Sequence, residues 1–406
     1  MRAPCVKTLR RKLAELICQK ATAGFGETLS RLWVGSGFVA TAYLYVDGHM
    51  KAYSGKRKLA EVWNSQRRMP LPGVLSYFVG DQRGRPLLFV TEEVFGSLSK
   101  SMPKIVQAIR AVVGDRGFTV IFDRGGYDGK LFEWLCSQGI GFITYQRGSP
   151  GLPAGRFSRR EARFEGGRIR FFAAEDEVKV GGSGPWRRIV VRTPTGHQTP
   201  ILTSLAKEQV GAARIACLMF ARWRQENFFR YMGSHHGLDQ LVSYAWGDAS
   251  DQMIPDPQRK RLAREIASKR KQAAELRASL GDAVLGEPRS KSRSAHGLKI
   301  AGRGTVGTLR ALEREIEQLR AQRKACPTHV PLSVTGQARQ AMRLEHKTLV
   351  DRIKITAYNA EEWMLDRLGR HYPNPHDIRD LLRSFADLSG EMRSTPGGVV
   401  VTLDAP

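Results

Sequence analysis

The strongest constraint on the fold lies in residues 38–145, where the hydrophobic pattern alternates between a strand-like period and a helix-like one. Phe38 to Val46 reads FVATAYLYV, dense in β-branched and aromatic residues. A buried strand is expected there, closed by a turn at Asp47-Gly48, with His49 to Tyr53 as the second arm of a hairpin. Val74 to Val79 and Leu87 to Val90 flank Asp81-Gln82-Arg83-Gly84 and predict a further strand pair. The period then changes: Ile105, Ala108, Ile109, Val112 and Val113 recur at helical spacing before Gly114. Phe118 to Phe122 (FTVIF) reads as a strand ending at Asp123, Lys130 to Leu135 as a helix, and Ile140 to Tyr145 as another strand. This order predicts an α/β unit with parallel neighbours.

The remaining segments have different textures. Residues 1–35 read as a short N-terminal helical segment, punctuated at Gly24 and Gly26, and 36–250 as the core domain. Within the core, residues 148–200 turn to Gly, Pro and Arg with short alternating pieces such as Ile169 to Phe172 and Arg188 to Arg192, a β-rich insertion. A long helical pattern runs from Leu205 through Ile215, Leu218, Met219, Trp223 and Phe228 to Met232, with Trp223 expected to pack on the core, its alternative being to stack on a flipped nucleic-acid base.

Residues 255–325 form a basic helical pair with a linker. Over 258–325 there are 18 Lys or Arg against 7 Asp or Glu. Leu262, Ile266, Ala273, Leu276 and Leu280 define one apolar stripe and Leu309, Leu312, Ile316 and Leu319 another, joined by a Gly/Ser-containing link at 286–304. Residues 326–406 are expected to be helical, with a closing strand at Val399 to Leu403.

Charge narrows the function. The 406 residues carry 65 Lys plus Arg and 39 Asp plus Glu, a net +26. With 41% hydrophobic residues the chain can bury a core, so a disordered basic tail is excluded. Two readings of the excess stay open: a polyanionic partner held by counterion release, or charge carried for solubility. No run approaches the length of a membrane span, and Met1 to Leu16 holds no apolar signal core, so the chain is expected to be cytoplasmic. The five cysteines are too scattered for a disulfide scaffold or a zinc finger.

Chemistry on nucleic acid commonly uses carboxylates that hold Mg²⁺, a hard cation preferring oxygen ligands. Asp47 and Asp123 each follow a core strand; if those strands are parallel neighbours, both carboxylates emerge at the same sheet edge. Glu226 lies on a helix whose apolar face includes Leu218, Met219, Phe228 and Phe229. Each acid also has a structural reading: Asp47 and Asp123 as turn residues, Glu226 as an ion-pair partner of Arg222, Arg224 and Arg230. His49 reads as a partly buried strand histidine.

Three stretches in order, Tyr45-Val-Asp47-Gly-His-Met, Ile121-Phe-Asp123-Arg-Gly-Gly-Tyr and Ala221-Arg-Trp-Arg-Gln-Glu226-Asn-Phe-Phe-Arg, resemble the DDE transposases of bacterial insertion sequences, in the branch with a β-rich insertion before the last acid. The likeness runs from about Phe38 to Trp246, and more loosely into Cys326-Pro327 and Lys347 to Glu362. It implies an RNase H-like mixed sheet flanked by helices, with Asp47, Asp123 and Glu226 as catalytic residues ligating two Mg²⁺, or Mn²⁺. Arg222 matches the arginine of the family's helix signature, while the signature's Tyr and Lys fall on Met219 and Gly233.

The implied partner is double-stranded DNA, both transposon ends and target, bound by a homo-oligomer in a bacterial cytoplasm. Arg222, Arg124, Arg230, His235 and His236 near the acids, and Lys260, Arg261, Lys269, Arg270 and Lys271 in the basic pair, are the expected DNA contacts. The basic helices could equally be ordinary solvated faces. Only 46 residues precede Asp47, where members of the family carry a DNA-binding region, so a shortened copy or a misassigned start is expected. Three functions follow: a transposase, a catalytically inert DNA-binding remnant, or a stand-alone RNase H-like nuclease.

Overall fold

The computed structural model describes residues 5–56, 61–64, 69–92, 97–148, 151–241, 246–248, 253–285, 295–335, 340–372 and 374–404. Two compact units form: 1–247 with 341–406, and 248–340.

The first unit begins with helices α1 (Val6–Cys18) and α2 (Thr22–Gly35). Gly24 and Gly26, expected as breaks, lie inside α2. Gly26 is there for close approach: a Cβ would fall 1.3 Å from Arg352 Nη1. The core follows as β1 (Tyr43–Ala52), β2 (Glu61–Asn64), β3 (Met69–Gly80), β4 (Pro86–Glu92), α3 (Leu98–Val113), β5 (Thr119–Phe122), α4 (Gly129–Ser137) and β6 (Gly141–Tyr145). Ser97 caps α3 by accepting from Lys100 N, and Gly114 closes it with φ +67°. Strands β7 (Ser158–Phe164), β8 (Gly167–Val180), β9 (Ser183–Arg192) and β10 (Gln198–Thr203) come next, then α5 (Ala212–Phe220) and α6 (Trp223–His236).

All ten strands belong to one sheet, ordered β2-β3-β1-β5-β6-β10-β9-β8-β7, with β4 also paired to β3. β1 is antiparallel to β3 and parallel to β5, and β5 is parallel to β6. The β-rich stretch therefore extends the central sheet, β10 pairing antiparallel with β6.

The expected hairpin at Asp47-Gly48 does not form. β1 runs straight through, with Tyr45 to Ala52 paired residue by residue to Gly80 to Gly73 of β3. The long-range ladder overrides the local turn signal. Gly48 suits that ladder, since a Cβ would meet the Tyr77 ring at 3.1 Å.

The pleat divides the core into two layers. Leu44, Val46, Phe122 and Phe142 face α3 and α4, while Tyr45, Ile121, Ile143, Ile189 and Ile201 face α5. Phe122, Phe132 and Phe142 are fully buried, each contributing roughly 2 kcal/mol by removal from water. The single long helix expected from Leu205 to Met232 is two helices, broken between Phe220 and Trp223. A helix from the C-terminal part of the chain, Glu345–Leu368, packs across α2, β4 and α6.

In the second unit, α7 (Pro257–Leu285) and α8 (Ala295–Ala325) pack antiparallel through Ile266, Ala273 and Ile316, with Leu309, Leu312 and Leu319 around them. Lys269 Nζ–Glu315 (2.5 Å) and Arg277 Nη2–Glu313 (2.5 Å) bridge the two helices, and Met253–Pro255 pairs with His329–Pro331. The link expected at 286–304 lies partly outside the described residues, and from Ala295 onward it is already α8. Back in the first unit, α9 (Glu345–Leu368) and α10 (Pro375–Ala386) are followed by an antiparallel hairpin, Gly390–Thr395 with Gly398–Leu403. Among the described residues no helix is long and apolar enough to cross a membrane.

Candidate active site at a sheet edge

The parallel register fixes the first pair of acids. Val46 lies opposite Phe122 in the β1–β5 ladder, so the next residues, Asp47 within β1 and Asp123 just past the end of β5, stand on adjacent strands at the carboxyl end of β5. Each spends one oxygen locally. Asp47 Oδ1 accepts from Gly48 N at 2.9 Å, and Asp123 Oδ1 from Gly125 N at 2.8 Å, capping the one-turn helix Arg124–Gly126. The turn reading is thus realised at Asp123 and not at Asp47, which lies inside β1, and each aspartate keeps a second carboxylate oxygen for other partners.

The third acid arrives on α6. Tyr45 of β1 donates to Leu218 O at 2.7 Å, tying α5 to the sheet just before the break, and Phe228 and Met232 anchor α6 against Phe78, Phe89 and Tyr358. Arg222, at the start of α6, donates from Nη1 to Asp47 Oδ2 at 2.7 Å and from Nη2 to Glu226 Oε1 at 2.8 Å. One guanidinium therefore joins a strand acid to the helix acid four residues on.

Burial sets the electrostatics. Removal from water pushes the Asp47 carboxyl up to about 6; Arg222 pulls it back, and Asp123 and Glu226 raise it. Burial alone would lower Arg222, but Asp47, then Glu226 and Asp123, hold it above an ordinary arginine. Tyr145, at the end of β6, is raised by burial against the pull of Arg222 and Arg124. Arg124 lies over the Tyr145 ring at 5.6 Å.

Among the described residues no three His, Cys, Asp or Glu side chains already stand as a metal-holding group. The cation resting among the acids is Arg222. The donors are nonetheless of the hard-oxygen type that Mg²⁺ and Mn²⁺ take, drawn from the middle of β1, the end of β5 and α6.

The other sequence-derived residues fall in separate places. Arg230 and His235 are exposed on α6; His235 lies against Tyr231 (4.6 Å between rings), and His236 Nε2 is 3.6 Å from Glu361. On α7, Lys260, Arg261, Arg270 and Lys271 are exposed, and Lys269 is engaged with Glu315. His49 is a half-buried strand residue that stacks on Phe229 at 4.6 Å and bonds Asp239 at 2.6 Å. Trp223, expected in the core, is 42% exposed, because the break before α6 turns it out of the α5 face.

Sequence reasoning missed two groups. Tyr145 was readable as the end of the strand parallel to β5. The second, Lys51, Asp351 and Lys347, is fully buried: Lys51 Nζ and Lys347 Nζ each lie 2.5 Å from one Asp351 oxygen. Three hundred residues separate Lys51 from Asp351, so no local pattern announces the contact.

Acids from distant parts of the chain thus meet at one edge of a mixed α/β sheet, two of them joined by an arginine. The family described as "Transposase protein" matches residues 1–399, and the chain belongs to that family. Among solved structures it is similar to the cryo-EM structure of the piggyBac transposase synaptic complex with hairpin DNA, at 12% identity and a TM-score of 0.30, covering 49% of this chain and 40% of that chain. No curated protein matches it.

Proposed function

We propose that the chain is a DDE-type transposase on an RNase H-like core, cleaving DNA and transferring strands during movement of an insertion sequence. One observation carries this reading: the β1–β5 register puts Asp47 beside Asp123, and the Arg222 bridge brings Glu226 to the same edge. The strand order β4-β3-β1-β5-β6, antiparallel on one side of β1 and parallel on the other, supports the RNase H-like assignment.

In this reading Asp47, Asp123 and Glu226 would hold two divalent ions, Mg²⁺ or Mn²⁺. When bound, such ions activate an attacking oxygen and stabilise the leaving one in an in-line phosphoryl displacement. The chain's own contribution is positional. β1 and β5 fix two carboxylates, and the sheet-anchored α6 supplies the third. Arg222 holds the acids together and offers a guanidinium fork suited to phosphate. The surrounding Lys and Arg hold the DNA backbone without reading its sequence.

The test is cleavage of element-end DNA in Mg²⁺, comparing the wild type with Asp47→Ala, Asp123→Asn and Glu226→Gln. Cleavage with joining to target DNA, lost by more than about 100-fold in each variant, is expected, since supporting residues alone cost 10- to 100-fold. Cleavage without joining and without preference for end sequences would mark a stand-alone nuclease, and a wild type unable to nick would mark an inert DNA-binding remnant.

A further inference from the structure

The β7–β8 ribbon carries a charged face that the acid site does not use. Its register pairs Arg159 with Phe172, Glu161 with Arg170, and Arg163 with Arg168, so these six side chains share one face. The opposite face, with Ala162, Phe164, Ile169 and Phe171, is packed on α5. The charged face is solvent-exposed along its length, with Phe172, 40% accessible, at the end away from the turn. The next strand adds Arg192, directly opposite Phe172.

The face thus bears five arginines against one glutamate. That carboxylate, Glu161, only partly engages its neighbours, at 3.5 Å from Arg168 and 3.3 Å from Arg170. Exposed pairs of this kind hold little energy and exchange readily for a better anion.

The position is as informative as the charge. The two-residue turn Glu165-Gly166 brings the ribbon's tip to α6, where Arg224 Nη2 pairs with Glu165 Oε1 at 3.0 Å. Arg224 sits on the helix that carries Glu226, on a different side from it, so the ribbon's tip is docked on α6 and the arginine face runs away from that helix along β7 and β8.

We propose that this outer face of the β7–β8 ribbon is a DNA-backbone clamp, with Arg159, Arg163, Arg168 and Arg170 on phosphates and Phe172 against the sugars between them. Guanidinium forks match phosphate oxygens bidentately, and an exposed aromatic among them suits the apolar faces of nucleotides. The proposal rests on the transposase reading for the identity of the polyanion and assigns it a path of contact.

The experiment is fluorescence anisotropy of the full chain on a short duplex of arbitrary sequence, across a salt series. The quadruple variant R159Q/R163Q/R168Q/R170Q is compared with K7Q/R10Q/R11Q/K12Q, which removes the same charge from exposed positions of α1. The ribbon variant should bind about tenfold more weakly or worse, with a log K against log salt slope shallower by about three to four, while the α1 variant stays near wild type. Glu161→Gln, which removes the competing carboxylate and leaves the arginines, should bind more tightly than wild type. Equal affinities and slopes for the ribbon and α1 variants would overturn the clamp while leaving DNA as the substrate. A wild type that binds no duplex would overturn the functional reading and the clamp together.

Discussion

The acid edge and the basic helical pair are both dense in charge, yet their charges behave differently. At the edge, Asp47 and Arg222 are mostly shielded from water, and each shifts the other's protonation. Along α7 and α8, charges such as Lys271 and Glu275 stand in solvent, 81% and 65% exposed and 3.9 Å apart. The same residue types therefore do different work: burial makes a charge chemically specific, and exposure leaves it an affinity for any polyanion. The basic pair holds charges of the second kind, and the proposed chemistry rests on a few groups of the first.

The sharpest way to break this contrast is at the buried Asp351, which serves both Lys51 and Lys347. Asp351→Asn leaves two buried ammonium groups without their carboxylate. Urea titration should show a loss of about 3–5 kcal/mol. A loss below about 1 kcal/mol would mean that water reaches the cluster.

Next is Arg222→Gln, which frees the acids from their bridging cation. Without divalent ions the variant should lose about 1–3 kcal/mol, and Mg²⁺ should raise its melting temperature more than it raises that of the wild type, since the ions replace the missing positive charge. An identical Mg²⁺ response in both proteins would remove Arg222 from the electrostatics of the site.

The third prediction concerns pH. The Asp47 carboxyl is raised from 3.8 to about 6, so its protonated form stabilises the fold, fully below the ordinary value, and that contribution is lost as pH rises through 6. A divalent ion must displace this proton below pH 6. Mn²⁺ affinity, measured by calorimetry, should therefore fall about tenfold per pH unit there and level off above it. A flat profile through that window would contradict the shift.

The smallest effect belongs to the exposed side of the comparison. Glu315→Ala, which breaks the pair with Lys269, should cost no more than about 1 kcal/mol in the same urea titration.

Much of this arrangement was legible in the sequence, for identifiable reasons. FTVIF and FVATAYLYV announce buried strands by composition; the end of the first locates Asp123, while the expected end of the second at Asp47 is in fact mid-strand. Arg222 and Glu226, four apart on one helix, announce their own contact. What was illegible depends on distant chain. Asp47-Gly48 reads as a turn until β3 is laid beside it, and nothing at 221–222 marks the break that exposes Trp223. The packing of α9 on α2, β4 and α6 brings Asp351 to Lys51, a contact no local window contains.

Whether Asp47, Asp123 and Glu226 share bound divalent ions, as proposed, is read out by Fe²⁺-directed cleavage of the polypeptide. With Fe²⁺ in place of Mg²⁺, hydrogen peroxide as oxidant and ascorbate to recycle Fe³⁺, hydroxyl radicals formed at the ion should cut the backbone near residues 47, 123 and 226, and excess Mg²⁺ should suppress all three cuts together. Cuts elsewhere only, or cuts at these positions that persist in Asp123→Asn and in excess Mg²⁺, would contradict it.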